Sequence, residues 1–104
     1  MKKNLYPKFI VEGDSLILSE VTFHKELATV KKRVKGGGWY RMDKENQIIT
    51  FYGQSYDFGK ATLEDIQSCV LSGKVYSDKK KNNYLQVDYK FYYDNGTEII
   101  ELKK

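Results

Sequence analysis

The chain has 104 residues, 31% charged and 40% hydrophobic, and eighteen Lys and Arg against fourteen Asp and Glu give a net charge of +4. That length suits a single domain, 1–104, with a real but thin core. One His, one Cys and one Pro exclude an internal disulfide framework and any zinc site built from Cys and His alone.

All histidine chemistry must pass through His24. The start, Met1-Lys2-Lys3-Asn4-Leu5-Tyr6-Pro7, is too polar for a signal peptide, and no run approaches about 18 apolar residues. The chain is therefore expected to be soluble and cytoplasmic, with no membrane partner. Its mild positive charge argues against nucleic acid as the main partner, which calls for a denser basic face.

Taken in order, Lys8-Phe9-Ile10-Val11 reads as a short strand, Glu12-Gly13-Asp14 as a turn, and Leu16 to Phe23 as a second strand. From His24 the period changes. Leu27, Val30 and Val34 recur at i, i+3 and i+7, which predicts a helix over 24–34 with Gly36 at its C-terminal cap. Trp39 to Met42 and Gln47 to Tyr52 form a predicted hairpin. Thr62-Leu63-Glu64-Asp65 resembles a capping box opening a second helix, with Leu63, Ile66 and Val70 on its buried face and Gly73 as its stop. Lys74-Val75-Tyr76 is another predicted strand, and Ser77 to Asn83 is a polar turn. A C-terminal hairpin, Tyr84 to Tyr93 and Thr97 to Leu102, is predicted to turn on Asn95-Gly96 in type I′ geometry. The expected class is α+β (mixed α/β), in the order ββαββαβββ.

Three features can carry chemistry. His24 lies where a strand hands over to the predicted helix, and an imidazole there can act as a base or accept a phosphoryl group. Its position alone favours a capping or surface role. Gly36-Gly37-Gly38 exceeds what a helix stop needs, and fits either close backbone approach or a flexible exit loop. The stretch from Tyr52 through Gly53, Ser55, Tyr56, Asp57 and Gly59 to Ala61 suits an anion-binding nest of successive N–H groups or an ordinary connection. It is not a P-loop, because the Gly-Lys-Ser/Thr ending is absent. Lys8 could present an ammonium to the same anion. Cys69 follows the buried stripe of the second helix and reads as a core residue.

Together, Phe23-His24, Gly36-Gly37-Gly38 and the segment Tyr52-Gly53-Gln54-Ser55-Tyr56-Asp57-Phe58-Gly59-Lys60-Ala61 resemble the small phosphohistidine phosphatase (Janus/Ocnus) family. The similarity covers a core of residues 8–76, with the hairpin of residues 84–102 as an addition that could extend the sheet, cover an edge or mediate pairing with another chain. The resemblance implies a mixed sheet with a helix on each face and a hydrolase that needs neither metal nor cofactor. Its catalytic residue would be His24, as base or nucleophile, with phosphate held at Lys8, Gly53, Ser55, Tyr56 and Asp57. The implied substrate is a phosphohistidine-containing protein or a small phosphoramidate. Trp39 stands where animal members carry arginine, Asp57 where they carry a small neutral residue, and Lys25 replaces a small residue after the histidine. These departures keep a second reading open: a non-catalytic module that binds a phosphorylated or anionic partner.

Overall fold

The computed structural model describes residues 4–78, 83–84 and 89–102. Strand β1 (Tyr6–Glu12) pairs with β2 (Ser15–Val21) in an antiparallel hairpin across Gly13-Asp14. Gly13 has φ 61° while Asp14 stays at negative φ, the pattern of a type II′ turn. Strand β3 (Val34–Asp43) lies antiparallel on the other side of β1 and turns back into β4 (Ile48–Tyr52). Helix α1 (Leu63–Leu71) follows, then β5 (Val75–Asp78), β6 (Asn83–Tyr84), β7 (Lys90–Asp94) and β8 (Ile99–Leu102). Among the described residues these eight strands form one mixed sheet in the order β6-β5-β2-β1-β3-β4-β7-β8, with parallel pairing at β2/β5 and β4/β7.

The sheet curls, as chain length demands. Strands β6 and β7 are six places apart in the sheet order, about 29 Å if it were flat at roughly 4.8 Å per strand. The chain from Tyr84 to Lys90 reaches at most about 21 Å. Helix α1 touches both β2 and β8 and so fills the concave face. There Ile66, Cys69 and Val70 pack with Phe9, Val11, Leu16, Leu18, Ile49, Phe51 and Phe91 in the main core. The helix begins where Thr62 Oγ1 accepts the Asp65 N–H at 3.1 Å. It ends in a Schellman motif, with Lys74 N–H to the Cys69 carbonyl and Gly73 N–H to that of Val70.

The expected pair of helices, one on each face, is not formed. Residues 24–34 make two 3-10 turns, His24–Glu26 and Lys31–Arg33, and then enter β3, so the order is ββββαββββ. Of the predicted stripe only Leu27 is buried, while Val30 is 46% exposed. The physical reason is the Glu12 carboxylate at the end of β1. It accepts the N–H groups of Thr29 and Val30 and the Thr29 hydroxyl, so those amides are withdrawn from any i→i−4 ladder. The segment still does part of what the helix was expected to do. Leu27 packs on Ile10 and Ile17, with Ala28 and Val34 beside them, on the face opposite α1.

Gly36-Gly37-Gly38 is mid-strand rather than a cap. The predicted strand from Tyr84 to Tyr93 divides into β6 at one end of the sheet and β7 beside β4, and residues 85–88 lie outside the described residues. The last hairpin extends the sheet through β7. Its turn is wider than expected, because Asp94 pairs with Ile99 and Asn95 Oδ1 accepts the N–H groups of Thr97 and Glu98 at 2.9 Å. Asn95 keeps a negative φ, so type I′ geometry is not adopted.

Candidate functional site

The site forms on the sheet face opposite α1, where Lys8 pairs with Trp39 and Ile10 with Gly37 across β1 and β3. His24, first residue of the first 3-10 turn, lies over this strand pair and is 2% exposed. Its Nε2 is 2.7 Å from the Gly38 carbonyl. A carbonyl only accepts, so Nε2 carries the proton and the neutral ring keeps its lone pair on Nδ1. Nδ1 has no partner, whereas every buried side-chain nitrogen or oxygen among the described residues has one, so Nδ1 keeps contact with solvent.

Gly37 makes this placement possible. A Cβ there would come within 2.5 Å of the Phe9 carbonyl and 3.2 Å of His24 Cδ2. The glycine run therefore serves close approach, one of the two roles its composition allowed.

Burial chiefly holds the His24 pKa below its ordinary 6.5, and the Lys8 ammonium pushes the same way. The Gly38 carbonyl and the Asp57 carboxylate pull it back. Both side chains thus act electrostatically on the imidazole. Lys8 Nζ donates to the Thr22 carbonyl at 2.7 Å and sits 5.0 Å from the Trp39 ring and 5.6 Å from the Tyr6 ring. Trp39 in turn meets His24 edge-on, ring centroids 6.4 Å apart.

The loop after β4 closes on itself and docks against Gly37. Ser55 is buried, its N–H is shared between the Gly37 and Gly59 carbonyls at 3.1 Å, and its Oγ accepts the Phe58 N–H at 3.1 Å. Gly37 N–H returns a bond to the Gly59 carbonyl. The Ser55 amide is therefore committed within the chain and cannot also cradle an anion. The amides of Tyr56 and Asp57 make no such bond. Gly53 has φ 71°, and a Cβ there would lie 3.0 Å from Trp39 Cδ1, so the loop enters directly against the indole.

Around Gly37 the fold thus gathers His24, Lys8, Trp39, the Ser55 turn and the Asp57 carboxylate from four separated segments. Cys69 is on the other side of the sheet in the α1 core, where burial pushes its thiol up to about 11, so it is no partner for His24. Lys31, Lys32 and Lys35 are exposed, and Lys79–Lys81 lie outside the described residues. Among the described residues no group of three or more His, Cys, Asp or Glu could hold a metal, and no helix is long and apolar enough to cross a membrane.

Sequence reasoning missed Glu12. Its carboxylate, in a residue 3% exposed, ties down the stretch that follows His24. The signal available was weak: an acidic residue directly before a turn. Glu12→Ala is expected to cost about 2 kcal/mol, the loss of charge-assisted bonds to backbone amides. Urea unfolding should show a lower midpoint at unchanged slope.

The glycine run, His24, Lys8 and the loop all fall inside residues 8–82, which match the model of the Janus/Ocnus family (Ocnus). No curated protein and no solved structure matches the chain. The match takes in well over half of the 104 residues, and the chain belongs to the Janus/Ocnus family.

Proposed function

We propose that this protein is a phosphohistidine phosphatase-like hydrolase in which His24 is the catalytic residue. The observation that carries the reading is the state of His24: a buried neutral imidazole, its tautomer fixed by Gly38, with the Nδ1 lone pair at solvent and the Lys8 ammonium and Asp57 carboxylate both acting on the ring. Phosphate oxygens would be met by the amides of Tyr56 and Asp57 and by the Lys8 ammonium, which keeps two N–H donors beyond its bond to Thr22. Gly53 and Ser55 shape the loop that presents those amides. Nδ1 then either takes a proton from the attacking water or attacks phosphorus itself, and the substrate P–N bond breaks as the leaving imidazole is protonated. In the second route water then hydrolyses the Nδ1–phosphoryl bond to free phosphate. Phosphate would be met by the Asp57 amide and not by its carboxylate, whose charge acts on the imidazole. The substrate would be a phosphohistidine-containing protein or a small phosphoramidate.

Release of phosphate from a phosphohistidine peptide tests the reading, and its absence under all conditions would overturn it. Phosphoenzyme retained on His24 after an alkaline denaturing quench, and lost on acid treatment, would mark the nucleophilic route. The pH profile follows from the lowered pKa. The neutral form persists below pH 6.5, so the acid limb of kcat/KM should fall with an apparent pKa under 6.5. Stability has the same sign. The unfolded chain takes up the His24 proton first, so this contribution is present above pH 6.5 and is lost as pH falls through the lowered folded value. Thermal melts between pH 7.5 and 5 would register the decline.

A second reading rests on Trp39, which packs on both Lys8 and His24 where a cation would otherwise meet the anion. It makes the chain a binding module for a phosphorylated or anionic partner. Affinity for a phosphohistidine analogue without turnover would select it.

A further inference from the structure

The last hairpin builds a second cavity beside the site. Strands β4 and β7 run parallel and end together at Tyr52 and Asp94. Beyond their carboxyl ends, the 53–60 loop and the 94–96 turn border an open cavity of about 310 Å³, lined among others by Tyr52, Gly53, Lys60, Tyr93, Asp94 and Gly96. The crevice outside the carboxyl ends of parallel strands is a recurrent ligand position. Residues 90–102 lie beyond the matched stretch of residues 8–82, so this wall comes from outside the family match.

The charges around the cavity are unequal. Asp94 is occupied: Oδ2 accepts from Arg41 at 3.1 Å and Oδ1 from the Gly96 N–H at 2.9 Å. Arg41 is held by that pair and lies 4.6 Å from the Tyr52 ring. Lys60 has no ion-pair partner among the described residues. An occupant therefore meets one uncompensated ammonium and tyrosine surface. A carboxylate on a short apolar stem satisfies both.

The distance suits one substrate. Gly53, on the cavity wall, abuts Trp39, and Trp39 abuts His24 with centroids 6.4 Å apart. The cavity thus begins roughly 10 Å from the imidazole, about three residues of extended peptide. We propose that this cavity is a specificity subsite for an acidic side chain two or three residues from the phosphohistidine, with Lys60 as the residue that selects it. The proposal rests on the phosphatase reading and deepens it.

Two phosphohistidine peptides test it, one with Glu and one with Lys at the second and third positions on both sides. The Glu peptide is expected to have about tenfold higher kcat/KM, the step that one tenfold free-energy increment represents. Lys60→Gln should flatten that preference while hydrolysis of a small phosphoramidate, which cannot span to the cavity, stays within twofold. Equal rates for the two peptides, or a preference that survives Lys60→Gln, would overturn the subsite while leaving the phosphatase reading intact. Should the phosphoramidate and both peptides resist hydrolysis, the phosphatase reading fails. Calorimetric Kd values for the same peptides then decide the subsite by the same criteria.

Discussion

His24→Ala is expected to lower phosphate release by two to four orders of magnitude, the span a positioned acid–base group contributes. The loss should fall on kcat more than on KM, because Lys8 and the loop amides, which would hold the phosphate, remain. The same change removes a buried ring and leaves the Gly38 carbonyl without its donor. About 1–3 kcal/mol of stability should go with it. Rates must therefore be read at a temperature where melts show the variant folded. Lys8→Ala makes the informative companion. It removes an ammonium that contributes to the lowered His24 pKa, so the acid limb should move upward toward 6.5 even as the rate falls. A folded His24→Ala protein retaining wild-type phosphate release would end the assignment.

Gly37→Ala is expected to be severely damaging for the addition of a single methyl group. Its Cβ would fall 2.5 Å from the Phe9 carbonyl oxygen and 3.2 Å from His24 Cδ2. Backbone cannot yield there cheaply, since Gly37 exchanges bonds with the Ser55–Gly59 loop through both its N–H and its carbonyl. A destabilisation near the top of the overpacking range, roughly 3 kcal/mol, should appear as a lowered urea midpoint. Residual folded protein should also lose activity, because floor, imidazole and loop meet at this one residue. A matched Lys35→Ala change in the same strand, exposed, should stay within about 0.5 kcal/mol. If Gly37→Ala unfolded at the wild-type midpoint, the close approach of β1, His24 and β3 would not be what the glycine is for.

The two variants probe different levels of the same arrangement. His24 supplies the lone pair, whereas Gly37 supplies the space in which that lone pair is held. Glu12 forms a third level. Its carboxylate fixes residues 29–30 from 17 and 18 positions away, and so sets how the turn after His24 leaves the sheet. The acid–base role proposed for one atom would depend on steric room at a second residue and on a buried carboxylate at a third.

Several elements were legible from residue order alone. The β1–β2 hairpin follows from apolar β-branched runs around Gly13, and the β3–β4 hairpin from the polar turn between Met42 and Ile48. Helix α1 starts at Thr62 and stops at Gly73 as its caps require. In each case the deciding bonds join residues only a few positions apart, so local chemistry specifies them. The motifs at His24, the glycine run and the Ser55 loop were joined only by their family resemblance, and the fold brings them together around Gly37. Tertiary structure decided the rest. Leu27, Val30 and Val34 carry a helical period, yet the Glu12 carboxylate and the entry of Val34 into β3 override it. The parallel pairing of β4 with β7 joins residues some forty positions apart and creates the cavity at Lys60. The single histidine told from the start where any imidazole chemistry must occur. Which of its nitrogens faces solvent, and beside which charges, was fixed only when the Gly38 carbonyl, Lys8 and Asp57 converged on it across the curled sheet, because contacts between distant segments leave no period in the sequence to read.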